Sequence, residues 1–374
     1  MKKLNNSLLN ENIDRIIQFD VLNKKIFGSA YYVFQEENTI LEKCYGKTSL
    51  NTNTPITNST IFRLASMTKP ITAVATLILV DRGLLSLDDT VDKFIPDYKN
   101  VLIIDPAKNK YATPENLPTI KNILSHTSGI GSNYDKLADM TEKEKSSLDN
   151  AVSFYIKSGL DFEPGSKQQY SGTAAFNVLA KIIEIISGTD YLSFLEKEVF
   201  LPCNMCDTTF VPSPEQQKRM VEMHAKIDNE NASFKMKEGC IFEDFPWTLY
   251  LGGAGLVSSL QDYCNFAKML LNKGKTDKGQ LISEKTFNSL CTPQVSEDIM
   301  PENERWGLGV RVITDDSYPY LPKGTFGWSG AYGSHFRIDP INRIFAVYMK
   351  NSKYDGGGGN QSAVNFERAV YASF

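Results

Sequence analysis

Hydrophobic positions recur along the chain with two spacings, and these spacings predict where helices and strands lie. Residues 7–24 carry apolar side chains at a helical spacing. The segment 25–47 is predicted to form two strands joined around the polar letters QEEN. The following "ITAVATLILVDRG" begins as a strongly apolar helix and ends at Gly83, a residue typical of helix C-termini. The first quarter of the chain therefore predicts a helix, a hairpin and a buried helix.

The middle of the chain differs in pattern from its last third. Between residues 87 and 245, short helical runs such as "AAFNVLAKIIEIISG" alternate with polar loops. The last third favours strands, in "RWGLGVRVI", "GTFGWSGA", "YGSHFRID" and "RIFAVYMKN", with "DPIN" as a hairpin turn and a closing helix in "NQSAVNFERAVYASF".

Strand-forming segments thus occur at both ends of the chain, with helices between them. This order predicts an α/β fold of the α+β type, with one antiparallel sheet built from both chain ends and flanked by helices. A mostly helical domain is inserted into it. We place the sheet domain at residues 1–86 and 246–374 and the helical domain at 87–245; any site formed by residues of both domains would lie between the two.

Composition excludes several classes of function. The 374 residues are 41% hydrophobic and 22% charged, which is typical of a globular protein with a sizeable core. The net charge is −4 and Lys and Arg are not clustered, so a nucleic-acid partner is not expected. No apolar run reaches the roughly 20 residues of a membrane span, and the N-terminus lacks a signal-peptide pattern. We therefore predict a cytoplasmic protein without a nucleic-acid or membrane partner.

Metal and cofactor motifs are also missing from the sequence. Cys203 and Cys206 form a C-x-x-C pair, but a structural zinc site needs a second pair of ligands. The three histidines lie at no supporting spacing, and no P-loop, H-E-x-x-H or dinucleotide-binding glycine motif occurs. We therefore expect no metal and no cofactor, and we interpret the two cysteines as loop thiols.

The stretch "FRLASMTKPIT" carries the first candidate for chemistry. Ser66 and Lys69 are three residues apart, so on a helix they share one face. Pro70 is tolerated only in the first turn of a helix, which places the start of the helix close to Ser66. A serine is a nucleophile only when a neighbouring base takes its proton, and lysine can be that base if burial or nearby positive charge lowers its pKa.

Two further segments are ambiguous when each is taken alone. Tyr170 in "PGSKQQYSG" precedes an amphipathic helix, where a phenol could shuttle a proton or simply pack. Trp328, Ser329 and Gly330 lie on a predicted strand, and the glycine permits close backbone approach. An N–H group of that strand, with the N–H of Ser66, could form an oxyanion hole, or the tryptophan could be a core residue beside a bulge.

Together and in this order, the three segments resemble the motifs of the serine β-lactamase and penicillin-binding-protein superfamily. The resemblance is closest to its class C β-lactamase-like branch and to the family VIII carboxylesterases, covers essentially the whole chain, and includes "ILSHTSGI" and "LGGAGLVSS". It implies Ser66 as the acylated nucleophile and Lys69 as its proton acceptor. It also implies Tyr170 as general base and acid partner, and the N–H of Ala331 as the second oxyanion donor. Trp328, Ser329 and Gly330 would then lie on the substrate-binding strand.

Two departures from the family pattern bear on the substrate. The asparagine of the usual Y-x-N is replaced by Gly172, and the lysine of the usual K-T-G is replaced by Trp328. Losing a charge-assisted contact weakens binding by about 1.5–3 kcal/mol, which disfavours anionic β-lactams and peptide ends. A carboxylesterase acting on small neutral esters is therefore the predicted function. Lys323, just upstream of the strand, is a candidate replacement cation.

Alternatives remain at this point. A β-lactamase or a D-amino-acid peptidase of the same superfamily would act on amides through the same residues. A Ser-His-Asp enzyme could use His126 in "SHTSG", although no G-x-S-x-G elbow occurs. A non-catalytic binding protein on this scaffold would be expected to lose its nucleophile, yet Ser66, Lys69 and Tyr170 are all present.

Overall fold

The computed structural model describes residues 2–105, 107, 110–133, 140–227, 230–234 and 249–374. Strands are concentrated towards the two ends of the chain and occur as short pairs elsewhere. They are β1 (Gly28–Gln35), β2 (Asn38–Gly46), β3 (Ile61–Arg63), β4 (Ile103–Asp105), β5 (Lys110–Ala112), β6 (Met223–Ile227), β7 (Glu230–Phe234), β8 (Val257–Ser259), β9 (Lys275–Thr276), β10 (Gly279–Gln280), β11 (Glu304–Trp306), β12 (Arg311–Ile313), β13 (Phe326–Ser329), β14 (His335–Asp339) and β15 (Ile344–Met349).

Helices precede, separate and follow these strands. They are α1 (Asn6–Leu22), α2 (Thr68–Asp81), α3 (Ile120–Leu124), α4 (Leu148–Ser158), α5 (Ala174–Ser187), α6 (Tyr191–Leu195), α7 (Leu201–Cys203), α8 (Pro214–Lys218), α9 (Leu260–Leu271), α10 (Glu284–Leu290) and α11 (Gln361–Tyr371), with a π-helical turn Glu196–Phe200 joining α6 to α7. Four 3₁₀ turns of the described chain lie at Ala65–Met67, Val91–Lys93, Pro96–Asn100 and Glu144–Ser146.

Seven strands of the described chain form one antiparallel sheet. Their order is β11-β12-β13-β14-β15-β1-β2, so the N-terminal hairpin pairs with the last strand of the chain. In that pairing Tyr32 lies opposite Val347 and Phe34 lies opposite Phe345. The prediction of an antiparallel sheet built from both chain ends is therefore confirmed.

Successive side chains of β1 point alternately into two hydrophobic clusters, one on each face of the sheet. Tyr31 and Val33 face a cluster that includes apolar residues of α1 and α11. Tyr32 and Phe34 face the larger cluster, which includes residues of α2, α5 and α9. Because successive side chains of a strand point to opposite faces, one buried strand serves both layers. Helices α1 and α11 thus cover one face of the sheet, and the opposite face packs in the cluster that includes α2.

The helix predicted to begin near Ser66 does so. A 3₁₀ turn at Ala65–Met67 leads directly into α2, and no side chain caps either start. The helix ends at Asp81, and Gly83 follows with a φ of +68°, as the C-terminal glycine predicted. Burial of almost every residue of α2 explains its unbroken apolar sequence.

The prediction of one strand in "RWGLGVRVI" was wrong. The segment forms two short strands, β11 and β12, that pair with each other around a turn. Two glycines of the turn make close contacts that a side chain would prevent. A Cβ at Gly307 would lie 2.2 Å from the Leu290 carbonyl oxygen, and one at Gly309 would lie 2.7 Å from the Cβ of Ala73 on α2. The hairpin therefore packs directly against the helix that carries Lys69.

The segment predicted as mostly helical also contains two short hairpins, β4–β5 and β6–β7. Helix α5 lies where the helical run "AAFNVLAKIIEIISG" was predicted, and α3 and α4 are further helices of this segment. The division of the chain into domains at residues 86 and 246 stays a prediction, and the second boundary lies outside the described residues.

Candidate active site

Ser66, Lys69 and Tyr170 meet at the start of α2. The Tyr170 hydroxyl donates a hydrogen bond to Ser66 Oγ at 2.7 Å, and Lys69 Nζ lies 3.3 Å from the same oxygen. Ser66 and Lys69 come from one helical turn, whereas Tyr170 lies in the loop that leads into α5. The structure therefore brings together the three residues that the sequence proposed for catalysis.

Lys69 is fully buried, and its surroundings favour the neutral amine. Burial lowers the pKa of Lys69 well below its usual value. Nζ donates hydrogen bonds to the main-chain carbonyl oxygens of Gly172 and, at 2.8 Å, of Gly253. A neutral amine has two N–H groups, which these carbonyls accept, and one lone pair. That lone pair is left for the hydroxyl proton of Ser66.

Two consecutive glycines bring one of those carbonyls into place. A Cβ at Gly252 would lie 2.1 Å from the Phe176 carbonyl oxygen, and one at Gly253 would lie 2.9 Å from Thr173 Cα. Only glycine allows this segment to approach the start of α5 so closely. Sequence reasoning missed Gly172 and Gly253 as partners of Lys69, although the glycine pair in "LGGAG" was a usable signal.

Tyr170 is held in place by three other rings. Its ring lies 4.6 Å from that of His126, 5.8 Å from that of Trp306 and 5.4 Å from that of Trp328, measured between centroids. Trp306 and Trp328 also contact each other, with centroids 4.5 Å apart. We call these four residues the aromatic cluster. Aromatic contacts of this kind stabilise ring orientation, so the cluster fixes the direction of the Tyr170 hydroxyl.

His126 belongs to this cluster as a neutral ring. Burial lowers its pKa well below the usual value, and the positive charge of Arg311 adds to this effect. Its Nδ1 accepts a hydrogen bond from the Ser171 N–H at 3.1 Å, so the ring proton lies on Nε2. The described structure gives Ser66 side-chain contacts with Tyr170 and Lys69, not with this imidazole. The geometry therefore supports a loop-shaping role for His126 and not a serine–histidine pair.

The end of β13 lies against the turn that carries Ser66. A Cβ at Gly330 would lie 2.2 Å from the Leu64 carbonyl oxygen, which explains the glycine. Ser334 Oγ also donates to this carbonyl oxygen, at 3.2 Å. Within the part of the chain that the structure describes, the N–H groups of Ser66 and Ala331 make no hydrogen bond. Both groups are therefore available to an oxyanion.

The side chain of Ser329 is not part of this site. Its hydroxyl lies 2.7 Å from His335 Nδ1, and His335 Nε2 lies 2.9 Å from Glu367 Oε1 on α11. Trp328, the preceding residue of β13, points to the opposite face and contacts Tyr170. Ser329 thus fastens the strand to α11, and only its backbone borders the site.

Lys323, the candidate replacement cation, lies in the loop before β13. It is exposed and lies before the first residue of β13, whereas Trp328 and Gly330 lie at the other end of that strand. Its backbone N–H is bonded to Asp316 in the preceding loop.

No group of three or more potential metal ligands occurs among the described residues. Of the C-x-x-C pair, Cys203 is buried at the end of α7 and Cys206 is exposed, and both are free thiols. None of the helices in the described part of the chain has the length and apolar composition that a membrane crossing requires.

Comparison with known proteins agrees with this geometry. The family model for Beta-lactamase matches residues 11–366. The chain belongs to the Beta-lactamase family. The chain is 26% identical to Esterase EstB of Burkholderia gladioli over 388 residues, which covers 96% of this chain and 94% of EstB.

Other relatives and structures place the chain within the same fold. It is 26% identical to a putative D-alanyl-D-alanine carboxypeptidase of Salmonella agona, covering 88% of this chain and 78% of that one. The solved structure of EstCE1, described as a hydrolase with promiscuous acyltransferase activity, matches with a TM-score of 0.83 at 23% identity, covering 98% and 99% of the two chains. At that identity the likeness concerns the fold.

Proposed function

We propose that this Beta-lactamase-family protein is a serine hydrolase that cleaves small neutral esters through an acyl-enzyme. The observation that carries the proposal is the contact of Ser66 Oγ with both the Tyr170 hydroxyl and the buried amine of Lys69. A hydroxyl with a neutral amine and a phenol at this range is an activated nucleophile. The similarity to Esterase EstB over nearly the full length of both chains supports the ester as substrate.

Acylation follows from these positions. Ser66 Oγ attacks the ester carbonyl carbon while its proton passes to Lys69 Nζ. The carbonyl oxygen becomes an oxyanion, which the N–H groups of Ser66 and Ala331 stabilise. The carbon–oxygen bond to the alcohol then breaks, and the leaving oxygen takes a proton from the Tyr170 hydroxyl. The proton held by Lys69 replaces it, so the enzyme is left with an acyl group on Ser66 and no net change in protons.

Deacylation repeats the sequence with water. A water molecule attacks the acyl carbon, and its proton passes to the base formed by Tyr170 and Lys69. Collapse of the second oxyanion intermediate returns the proton to Ser66 Oγ and releases the carboxylic acid. The sum is one ester and one water giving one acid and one alcohol.

The aromatic cluster supports a neutral substrate. Trp328 contacts Tyr170 and Trp306, and a Cβ at Gly358 would lie 3.3 Å from its ring. Burying an alkyl or aryl group against such a surface contributes about 25 cal/mol per Å². A carboxylate brought to the same surface would lose water without gaining a charged partner. Substrates that carry a carboxylate beside the reacting carbonyl are therefore disfavoured.

This reasoning predicts a substrate preference that can be measured. We expect kcat/KM for p-nitrophenyl butyrate to exceed that for a chromogenic cephalosporin by at least about 10²-fold, because each 1.4 kcal/mol corresponds to about tenfold. Mass spectrometry of the trapped intermediate should place the acyl group on Ser66. Equal turnover of the two substrates would favour the β-lactamase or peptidase alternative.

Trp328→Lys is the matched variant for this comparison. The substitution restores the cation of the usual third motif, so the ratio between ester and cephalosporin should narrow. Combining it with Gly172→Asn should narrow the ratio further, since that position gains a side chain able to bind an amide. A ratio that does not move in either variant would show that another part of the site selects the substrate.

The proposed role of Tyr170 predicts a dependence on the leaving group. A nitrophenolate leaves without a proton, whereas an alkoxide needs one. We therefore expect Tyr170→Phe to lower kcat for ethyl butyrate by at least about 10²-fold and to affect p-nitrophenyl butyrate less. The phenylalanine keeps the ring contact with Trp306, so the thermal midpoint should change little. An equal and small loss of kcat on both esters would mean that Tyr170 only packs in the site and does not transfer a proton.

A further inference from the structure

The backbone turn at residues 330–333, which carries the Ala331 N–H, is held on two sides. We call it the oxyanion turn. On one side, Gly330 packs against the Leu64 carbonyl next to Ser66. On the other side lies the loop 355–359, in which Gly357 N–H donates to the Gly330 carbonyl oxygen at 2.8 Å. A Cβ at Gly356 would lie 1.9 Å from the Ala331 carbonyl oxygen. The position of Ala331 therefore depends on the position of this loop.

A buried ion pair fixes that loop. Lys350 follows β15 and its side chain is 1% exposed. Its Nζ donates to Asp355 Oδ2 at 2.6 Å and to Ser362 Oγ at 3.0 Å, and Ser362 Oγ in turn donates to Asp355 Oδ2. Burial alone would raise the pKa of Asp355, but the charge of Lys350 and the hydrogen bonds lower it to about 2. Burial lowers the pKa of Lys350 in turn, so the two groups form an ion pair in the pH range between their pKa values.

The same lysine also contacts the oxyanion turn directly. A Cβ at Gly333 would lie 2.3 Å from Lys350 Cε and 2.8 Å from its Cγ, so the turn packs on the methylene stem. One main-chain hydrogen bond joins the turn to the segment after Lys350, from Ser352 N–H to the Tyr332 carbonyl oxygen at 2.8 Å. Another closes the turn itself, from Gly333 N–H to the Gly330 carbonyl oxygen at 2.9 Å. One side chain thus supports the turn with its stem and anchors the loop with its ammonium group.

We propose that the buried pair Lys350–Asp355 positions the Ala331 N–H for the oxyanion, and that both are positioning residues of the hydrolase. The inference rests on the proposed function, since it needs an oxyanion at Ser66. Burying a charged pair in place of apolar side chains rarely favours stability by itself. Packing therefore does not explain why a charged pair is buried here, whereas support of the oxyanion turn does.

The test compares an ester with its thionoester, in which sulfur replaces the carbonyl oxygen. Sulfur accepts hydrogen bonds weakly, so a well-placed oxyanion donor favours the ester. We measure kcat/KM for p-nitrophenyl acetate and for its thiono analogue and take their ratio. Both substrates are turned over by the same folded molecules, so the ratio is insensitive to partial unfolding. In Lys350→Met, which keeps the stem and loses the charge, we expect the ratio to fall by at least about tenfold.

Lys181→Met is the matched control. Lys181 on α5 is partly exposed and, like Lys350, pairs with carboxylates, those of Asp149 at 2.7 Å and Glu184 at 3.3 Å. Within the described residues, Lys181 and its two partners make no hydrogen bond or ion pair with the oxyanion turn. The ester-to-thionoester ratio of this variant should stay within about twofold of the wild-type value, because its oxyanion donors are untouched.

A milder substitution, Ser362→Ala, tests the same inference if Lys350→Met does not fold. Ser362→Ala removes one hydrogen bond to Asp355 and keeps both charges, and we expect a fall of about threefold in the ratio. An unchanged ratio in whichever of the two variants folds would overturn the inference. Failure of the proposed function itself has a different signature, because the wild-type protein would then hydrolyse neither ester, or Ser66→Ala would remain active. The two failures are therefore distinguishable.

Discussion

Ser66→Ala is expected to lower kcat for ester hydrolysis by at least about 10⁴-fold, as removal of the nucleophile does in other serine hydrolases. The substitution removes the only oxygen that the structure places within reach of both Lys69 Nζ and the Tyr170 hydroxyl among the described residues. Residual turnover would reflect binding and the oxyanion donors. Steady-state kinetics on p-nitrophenyl butyrate measures the loss, and a fluorophosphonate probe should label the wild-type protein at Ser66 alone.

Ser329→Ala is the control for this labelling experiment. Ser329, His335 and Glu367 lie in a serine–histidine–carboxylate arrangement, with distances of 2.7 Å and 2.9 Å between successive groups. All three are buried on the face of the sheet that α11 covers. The probe should therefore label Ser329→Ala as it labels the wild type. Labelling that survives in Ser66→Ala and disappears in Ser329→Ala would reverse the assignment of the nucleophile.

Lys69→Met should lower kcat by about 10³-fold, within the range that positioned acid–base groups contribute. The protonated lysine cannot accept the proton of Ser66, so wild-type kcat/KM should fall as the pH drops through the pKa of Lys69. Because burial holds that pKa well below the usual value, the fall should begin at a lower pH than an exposed lysine would give. A pH profile from about pH 5 to about pH 9 measures this limb. Its retention in Lys69→Met would assign the base to another group.

The same lysine leaves a signature in stability that is independent of catalysis. Its pKa is lower in the folded state than in the unfolded state, so the unfolded chain binds the extra proton between those two values. The free energy of unfolding should therefore rise with pH in this window, by up to about 1.4 kcal/mol per pH unit. Lys69→Met should lose that part of the slope. Urea unfolding at several pH values provides the measurement, and equal slopes in both proteins would mean that Lys69 is charged when folded.

The sequence was informative where local chemistry decides the outcome. The spacing of Ser66 and Lys69, together with Pro70, restricts both the helix start and the shared face. Strand-forming segments at both chain ends suffice to predict the antiparallel sheet. The departures at Gly172 and Trp328 can be read directly from the sequence, because the residue types alone show that an amide and a positive charge are missing.

Other features depend on contacts between distant segments, which spacing does not encode. Lys69 binds main-chain carbonyls at residues 172 and 253, and any residue type carries a carbonyl. The break in "RWGLGVRVI" follows from how closely Gly307 and Gly309 approach other segments. Trp306 joins the aromatic cluster from a hairpin about 140 residues away from Tyr170 in sequence. Sequence patterns identify such residues only after the fold is known.

The way Lys69 is held has a consequence for how such enzymes diverge. Its two fixed partners are carbonyl oxygens of the main chain, so no neighbouring side chain is needed to keep the amine in place. A substitution at position 328 can therefore change the pocket while both carbonyl partners of Lys69 remain. Mutational drift can alter what the pocket admits while the chemistry stays intact.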